Sequence, residues 1–315
     1  MNNSYRILFM GTPDFAVPSL KALCENGYKP AAIYTQPDKI NGRGKKIVFS
    51  PVKEFALENN IPCCQPDSLK TEDEIEQIRQ LNPDLIIVIA YGKILPKAIL
   101  EVPKFGAINV HASLLPKYRG AAPIQRAIID GEKTTGVTIM KLNEGMDTGD
   151  IISQKSVDIP AHMTGEELFE QLSNTGAQEL IQVMNDLPHR LDQAFPQNHE
   201  AATYAEKITK AMGNIDWSKS VRELDCLIRG MYPNPGTYTF FRGKRMKIHK
   251  AYCEEKDVSG IVPGTVISLE KDIIHTAAGD GVLCLTEVQP ENHKKMSSAD
   301  FIHGYQVKIN DRFND

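Results

Sequence analysis

No apolar run in this sequence is long enough to cross a bilayer. The longest clean stretch, Leu85 to Ala90, falls far short of the roughly 20 residues a spanning helix needs, and it has the length of a buried strand. The opening MNNSYRILFM lacks the basic region and long apolar core of a targeting peptide, so a cytoplasmic protein is expected. The six cysteines include no CxxC pair, and no histidine cluster sits near them at metal-ligand spacing. They are expected to be reduced, mostly buried thiols, with no bound metal. Internal repeats and low-complexity tracts are absent. So is a large excess of either charge: the formal net charge is −4, which does not announce a nucleic-acid binder. The balance is uneven, at −5 up to residue 200 (20 basic against 25 acidic residues) and +1 beyond it (16 against 15).

What is present is an ordinary globular composition, 41% hydrophobic and 24% charged over 315 residues, enough for two domains. The first half alternates apolar strands with amphipathic helices. Strands are predicted at Arg6–Met10, Ala31–Thr35, Asp84–Ala90, Ala107–Val110 and Val137–Leu142, and helices at Phe15–Asn26, Val52–Asn59, Thr71–Leu81 and Ala122–Asp130. A long helix from Glu166 follows, with Thr164 and Glu167 as a capping box. This alternation implies a doubly wound, mostly parallel sheet whose ligands bind beyond the C-terminal strand ends. From Pro188 periodicity is lost. One further helix, Val221–Arg229, is capped by Ser220 and Glu223. Short alternating strands with Gly or Pro turns then suggest a small β-barrel. The expected division is a first domain over 1–188, a linker over 189–206 and the barrel domain over 207–315.

Chemistry concentrates in two segments. Asn109 and His111 end a predicted strand two residues apart, so they share one side of it. Gly145-Met146-Asp147-Thr148-Gly149-Asp150 follows another strand and places Asp147 in a tight glycine-flanked turn. Asn, His and Asp suit acyl transfer to an amine that is itself the nucleophile. An Asn amide can donate to the oxyanion of a tetrahedral intermediate, His can give or take a proton near neutral pH, and a nearby carboxylate can fix the imidazole tautomer. Each element alone has a plainer structural explanation; their combination with the adjoining Ser113-Leu114-Leu115-Pro116 is specific. Gly11-Thr12-Pro13-Asp14 lacks a full GxGxxG fingerprint. It is read as a strand-to-helix turn, with Thr12 as N-cap and Pro13 at the first helical position.

The run NVHASLLPKYRGAAPIQ (Asn109–Gln125) followed by GMDTGD resembles the formyltransferases that use 10-formyltetrahydrofolate. Nearly the whole chain, including the opening FMGTPDFAV, the Gln36–Lys53 loop and Ile215-Asp216-Trp217, is similar to the members that act on initiator methionyl-tRNA for translation initiation. Lys117 and Tyr118 depart from the Arg and Trp of many members while keeping charge and aromatic character. The resemblance implies a formyltransferase-like Rossmann-type domain followed by an OB-like barrel. It implies that Asn109, His111 and Asp147 are catalytic and that Ser113, Leu114, Leu115 and Pro116 border the folate site. Tyr91 and Gly92, at the end of the most buried strand, are expected to line the same cleft.

Two basic segments remain. Gln36–Lys53 holds Lys39, Arg43, Lys45, Lys46 and Lys53 against one acid, Asp38. Composition alone leaves it open between a solvated surface loop and a polyanion contact. The resemblance favours the second, with Arg43, Lys45 and Lys46 on tRNA. Phe241–Lys250 has five basic residues and no acid. If extended, it puts Arg245, Lys247 and His249 on one face, a nucleic-acid platform of the kind small barrels offer. The protein is expected to be a monomer. Three rivals are weaker: a folate-dependent formyltransferase for a small amine, which should lack the loop and barrel; a nicotinamide-dependent dehydrogenase, against the incomplete glycine fingerprint; and a non-enzymatic RNA-binding protein, which leaves the first domain without a purpose.

Overall fold

Five consecutive buried apolar residues fit a strand only where both faces of its sheet are covered. Leu85–Ile89 is such a strand, and it is the central one of a seven-stranded sheet. The computed structural model describes residues 5–41 and 46–314, with the backbone alone for Ile40, Asn41 and Lys46. The chain forms two compact units. The first takes Met1–Gly120, Thr134–Asp158 and Phe169–Ala205; the second takes Ala121–Lys133, Ile159–Leu168 and Glu206–Asp315.

Strands of the first unit are β1 (Ile7–Gly11), β2 (Ala32–Tyr34), β3 (Lys39–Asn41), β4 (Lys46–Val48), β5 (Cys63–Cys64), β6 (Leu85–Ile89), β7 (Ala107–His111), β8 (Arg119–Gly120), β9 (Thr134–Lys141), β10 (Ile151–Asp158) and β11 (Tyr204–Ala205). Its main sheet runs β10-β9-β7-β6-β1-β2-β5. The strands from β7 to β5 are mutually parallel, whereas β9 is antiparallel to both β7 and β10. No strand is predicted from the sequence at β10, because its middle three residues are exposed and polar and break any apolar alternation. Helices α1 (Val17–Glu25), α2 (Pro51–Glu58), α3 (Glu72–Leu81) and α4 (Lys97–Leu100) fall between the early strands; of the next three, α5 (Pro123–Ile129) belongs to the second unit, whereas most of α6 (Gly165–Met184) and all of α7 (Leu187–Asp192) belong to the first.

Thr12 is not a helix cap. A 3-10 turn over Asp14–Ala16 precedes α1. The Thr12 hydroxyl instead donates to the Tyr91 carbonyl at 3.1 Å and accepts from the Gln36 N–H at 3.3 Å, tying together the chain that leaves three neighbouring strands. The stretch after Pro188 is also more ordered than its lost periodicity suggests: α7 runs to Asp192, and β11 pairs in parallel with β8.

In the second unit, α8 (Val221–Met231) is followed by β12 (Thr237–Phe241), β13 (Lys244–Glu254), β14 (Val266–Ser268), β15 (Ile274–Ala277), β16 (Val282–Pro290), β17 (Met296–Ser297) and α9 (Ser298–Tyr305). The sheet order is β12-β13-β16-β15-β14, with β17 on β16. The last residues bridge its two outer strands. Asn314 N–H donates to the Phe240 carbonyl at 2.8 Å, and Val266 N–H to the Asp311 carbonyl at 2.8 Å, which curls the sheet into an OB-like barrel. Met246, Ile248, Leu283 and Leu285 point into its core. Trp217 stacks on Phe313 at 5.4 Å and donates from Nε1 to Thr239 Oγ1 at 3.0 Å, so the Ile215-Asp216-Trp217 motif anchors this core. All six cysteines are free, and Cys253 alone is exposed. Among the described residues, no helix is long and apolar enough to cross a membrane.

Candidate active site

β7 is held on both sides, in parallel by β6 and antiparallel by β9, so its end is a rigid platform. Asn109 and His111 stand on one side of it. Asn109 is partly exposed, and its amide has no hydrogen-bond partner among the described residues, which leaves it free to donate. His111 is 6% exposed. Its Nε2 lies 2.9 Å from the Tyr118 carbonyl. A carbonyl only accepts, so Nε2 carries the proton and Nδ1 is the atom left for chemistry. Nδ1 lies 3.7 Å from Asp147 Oδ2, within ion-pair range but outside hydrogen-bond range. The tautomer is thus set by a main-chain carbonyl, where sequence reasoning assigned it to a carboxylate. Tyr118 is fixed in turn by its N–H, which donates to Thr203 Oγ1 at 2.9 Å.

Asp147 sits in the β9–β10 connection with φ 52°, a left-handed conformation that costs a non-glycine residue energy and needs support. The support is polar. Gly120 N–H donates to Asp147 Oδ2 at 2.8 Å. The Gln197 amide donates to the carbonyls of Asp147 at 2.9 Å and Gly149 at 2.8 Å, and its oxygen accepts from Arg119 Nη2 at 2.7 Å. Arg119 is only 2% exposed and also donates to His199 Nδ1 at 3.1 Å. The two glycines are required by close approach. A Cβ on Gly149 would fall 1.9 Å from the Lys141 carbonyl oxygen, and one on Gly120 (φ 117°) would fall 2.9 Å from that of Ala205.

The loop after His111 is shaped internally. Ser113 Oγ donates to the Lys117 carbonyl at 2.6 Å, and the Ser113 carbonyl accepts from Thr138 Oγ1 at 2.6 Å. Leu115 is 3% exposed and packs with Met140 and Ile151. Leu114 and Pro116 are half-buried and remain accessible for contact. Tyr91 is 1% exposed: its ring lies in the core of the first unit and its carbonyl is taken by Thr12 and Gln36, while Gly92 beside it is exposed. Of the six residues expected around a folate, Ser113, Leu115 and Tyr91 therefore point into the protein.

The basic loop is a hairpin of β3 and β4. Arg43 and Lys45 lie outside the described residues, and Lys46 is described by its backbone alone. Lys53 is not a free cation. It bonds Asp38 at 2.6 Å and Gln65 at 2.7 Å and lies over the Phe49 ring, fastening the hairpin base. In the second unit, Arg245 and Lys247 share the outer face of β13 opposite Phe240 and Tyr238. The Arg245 guanidinium stacks 3.8 Å from the Tyr238 ring. Arg242 instead bonds Asp311 at 2.9 Å and the carbonyls of Tyr305 and Gln306, a structural staple.

Sequence reasoning missed Gln197, Thr203, Tyr238 and Phe240. Gln197 lies where periodicity is lost, and nothing local marks it. Arg119 was the available signal, since a buried guanidinium demands acceptors somewhere in the chain.

The family model described as "Formyl transferase" matches residues 5–184, and the model "Formyl transferase, C-terminal domain" matches residues 207–306. A methionyl-tRNA formyltransferase of Alkaliphilus oremlandii is 47% identical over 303 residues, covering 96% of this chain and 97% of its own. Solved structures give the same fold at low identity. An N-formyltransferase of Helicobacter canadensis, crystallised with folinic acid and dTDP-3-aminofucose, superposes with TM-score 0.67 at 21% identity, over 91% of this chain and 99% of its own. HypX of Aquifex aeolicus, in complex with tetrahydrofolic acid, gives TM-score 0.65 at 17% identity over 98% of this chain; the chain spans 49% of that protein. The chain belongs to the formyl transferase family, within the group of the methionyl-tRNA formyltransferases.

Proposed function

We propose that the protein transfers the formyl group of 10-formyltetrahydrofolate to the free amino group of methionine on initiator methionyl-tRNA. The observation that carries this is 47% identity to a methionyl-tRNA formyltransferase through both units, barrel included. The site suits the reaction. The amine nitrogen attacks the formyl carbon, and the carbonyl electrons move to oxygen. The Asn109 amide, and His111 through Nδ1 when protonated, donate to that oxyanion. Asp147 stabilises the imidazolium, directly or through water, and takes the proton that the amine nitrogen must lose. Collapse of the intermediate breaks the bond to folate N10, which leaves as the amine after receiving that proton. Leu114, Pro116 and Gly92 contact the folate; Ser113, Leu115 and Tyr91 hold the loops that present them.

Arg43, Lys45 and Lys46 of the basic segment, and Arg245 and Lys247 on the barrel, contact tRNA phosphates. Tyr238 and Phe240 beside the latter pair provide rings on which a base can stack. The protein works as a monomer in the cytoplasm. The test is incubation with formyl-labelled 10-formyltetrahydrofolate and two acceptors, methionyl-tRNA and an amino-sugar nucleotide. Label is expected on methionine alone. Transfer to the sugar and none to methionyl-tRNA would make the small-amine formyltransferase the correct reading.

A further inference from the structure

Three side chains from separate strands of the second unit converge on one point. β13 brings Glu254, β15 His275 and β16 Cys284. His275 stands directly opposite Cys284 on one side, and Tyr252, two residues before Glu254, stands opposite it on the other. Residues two apart share a face, so all three lie on the same side of the sheet. That side faces away from the main core: Ile274, Leu283 and Leu285, which alternate with them, fill that core. Cys284, 0% exposed, packs instead with Val258, Ala277 and Val282.

The donor atoms of Glu254, His275 and Cys284 all lie within 4.8 Å of one another. His275 Nε2 is 3.9 Å from Glu254 Oε1, too far for a hydrogen bond. His275 Nδ1 is 3.1 Å from the Ile273 carbonyl, so Nδ1 carries the proton and Nε2 is left as a lone pair. A histidine oriented through its other nitrogen by a backbone carbonyl is the usual preparation for metal ligation. Among the described residues, no other three such side chains lie this close.

We propose that Glu254, His275 and Cys284 bind a zinc ion that ties β13, β16 and β15 together, with water in the fourth position. One thiol, one imidazole and one carboxylate suit zinc; magnesium and calcium take oxygen ligands. Donors of a tetrahedral zinc lie about 3.3–3.8 Å apart, so closing around the ion draws these side chains in by about 1 Å or less. As the sulfur–zinc bond forms, the Cys284 thiol gives its proton to solvent; nothing is oxidised or reduced. The ligands come from three separate strands, which is why no metal-ligand spacing marks them in the sequence.

The test adds zinc, and in parallel cobalt as a spectroscopic probe, to the chelator-treated full chain. One equivalent is expected to bind, with a thiolate-to-cobalt charge-transfer band and a melting temperature that rises with free zinc. His275→Gln and Glu254→Gln should each weaken binding by more than the roughly 10–100-fold that loss of an outer-sphere partner costs. Cys284→Ser should abolish the charge-transfer band. Cys63→Ser and Cys64→Ser should change nothing. Because Cys284 is fully buried, the two Gln variants, at partly exposed positions, keep the test valid even where Cys284→Ser fails to fold. Absence of zinc uptake at micromolar concentration, uptake that survives both Gln variants, or uptake lost with Cys63→Ser or Cys64→Ser would each overturn the proposal.

Discussion

β7 and β13 both present polar side chains that the proposed function uses, and they do so in opposite ways. β7 ends in a nearly buried His111 whose ring is fixed by a main-chain carbonyl and faces an Asp147 held by Gly120 and Gln197. β13 carries Arg245 and Lys247 on its outer face, next to aromatic rings and without a fixed ion partner among the described residues. The first arrangement works through geometry: few atoms, each in one place. The second, in the proposed role, works through the summed field of its charges, which is graded and screened by salt. Single changes should therefore be severe on β7 and mild on β13.

The largest effects should come from β7 itself. Asn109→Ala removes the free amide donor and is expected to lower kcat by about 10²–10³-fold with the fold intact. His111→Ala should lower it by about 10²-fold or more. Steady-state kinetics with unchanged circular dichroism check both. Near-normal turnover in either would take that residue out of the mechanism.

One step out, Gln197→Ala leaves the carbonyls of Asp147 and Gly149 without their amide donor and Arg119 without its main acceptor. Gln197 is a positioning residue, so kcat should fall by about 10–10²-fold while the KM for folate barely moves. Gln197→Glu, which cannot donate to the two carbonyls, should not rescue. Equal losses in kcat/KM for folate and in thermal stability, with kcat kept, would instead mark Gln197 as purely structural.

Next come the charges. Arg245→Ala and Lys247→Ala should each weaken methionyl-tRNA binding by less than the β7 variants lower turnover. Each should also reduce the log–log salt slope by about one for every phosphate no longer neutralised. Neutralising Arg43, Lys45 and Lys46 together should also cost turnover, because a misplaced acceptor end cannot present its amine at attack distance. Titrating tRNA at several salt concentrations, alongside folate binding, separates the two sets. Unchanged affinity, turnover and salt slope in both would remove these residues from the interface.

The smallest effect concerns His249, also on β13. Burial holds its imidazole below the ordinary 6.5, against the Gln289 amide oxygen that accepts from Nε2 and with Lys295 and Lys247 adding to the lowering. The folded state thus binds fewer protons than the unfolded chain near this value. Stability should fall as pH drops below 6.5 and level off below the folded pKa. His249→Gln should flatten that segment of the stability–pH curve; a curve of unchanged shape would contradict the assignment.

The contrast between the two strands also explains what could be read in advance. The central strands were legible because buried apolar runs and glycine-ended helices are local patterns. Strand periodicity puts Asn109 and His111 on one side of β7, whereas their grouping with Asp147 rests on the chemistry that the three residue types suit and on the family resemblance. β10 was not legible, since its exposed polar middle leaves no alternation. Neither were Gln197 and the tautomer-setting Tyr118 carbonyl: interactions between positions distant in sequence, or made by main-chain atoms, leave no residue-type signal. The aromatic neighbours of Arg245 became visible only through the β12–β13 register.

The central claim is that a carboxylate held in one place beside His111 carries the proton traffic of formyl transfer. Asp147→Asn tests it most directly, because it removes the charge and nearly preserves the shape. The measurement is the single-turnover rate of formyl transfer from 10-formyltetrahydrofolate to saturating methionyl-tRNA. The rate is expected to fall by about 10²-fold or more, as far as in Asp147→Ala, with an unchanged melting temperature. A rate close to that of the unaltered protein would show that the turn's shape, and not its charge, is what the site requires.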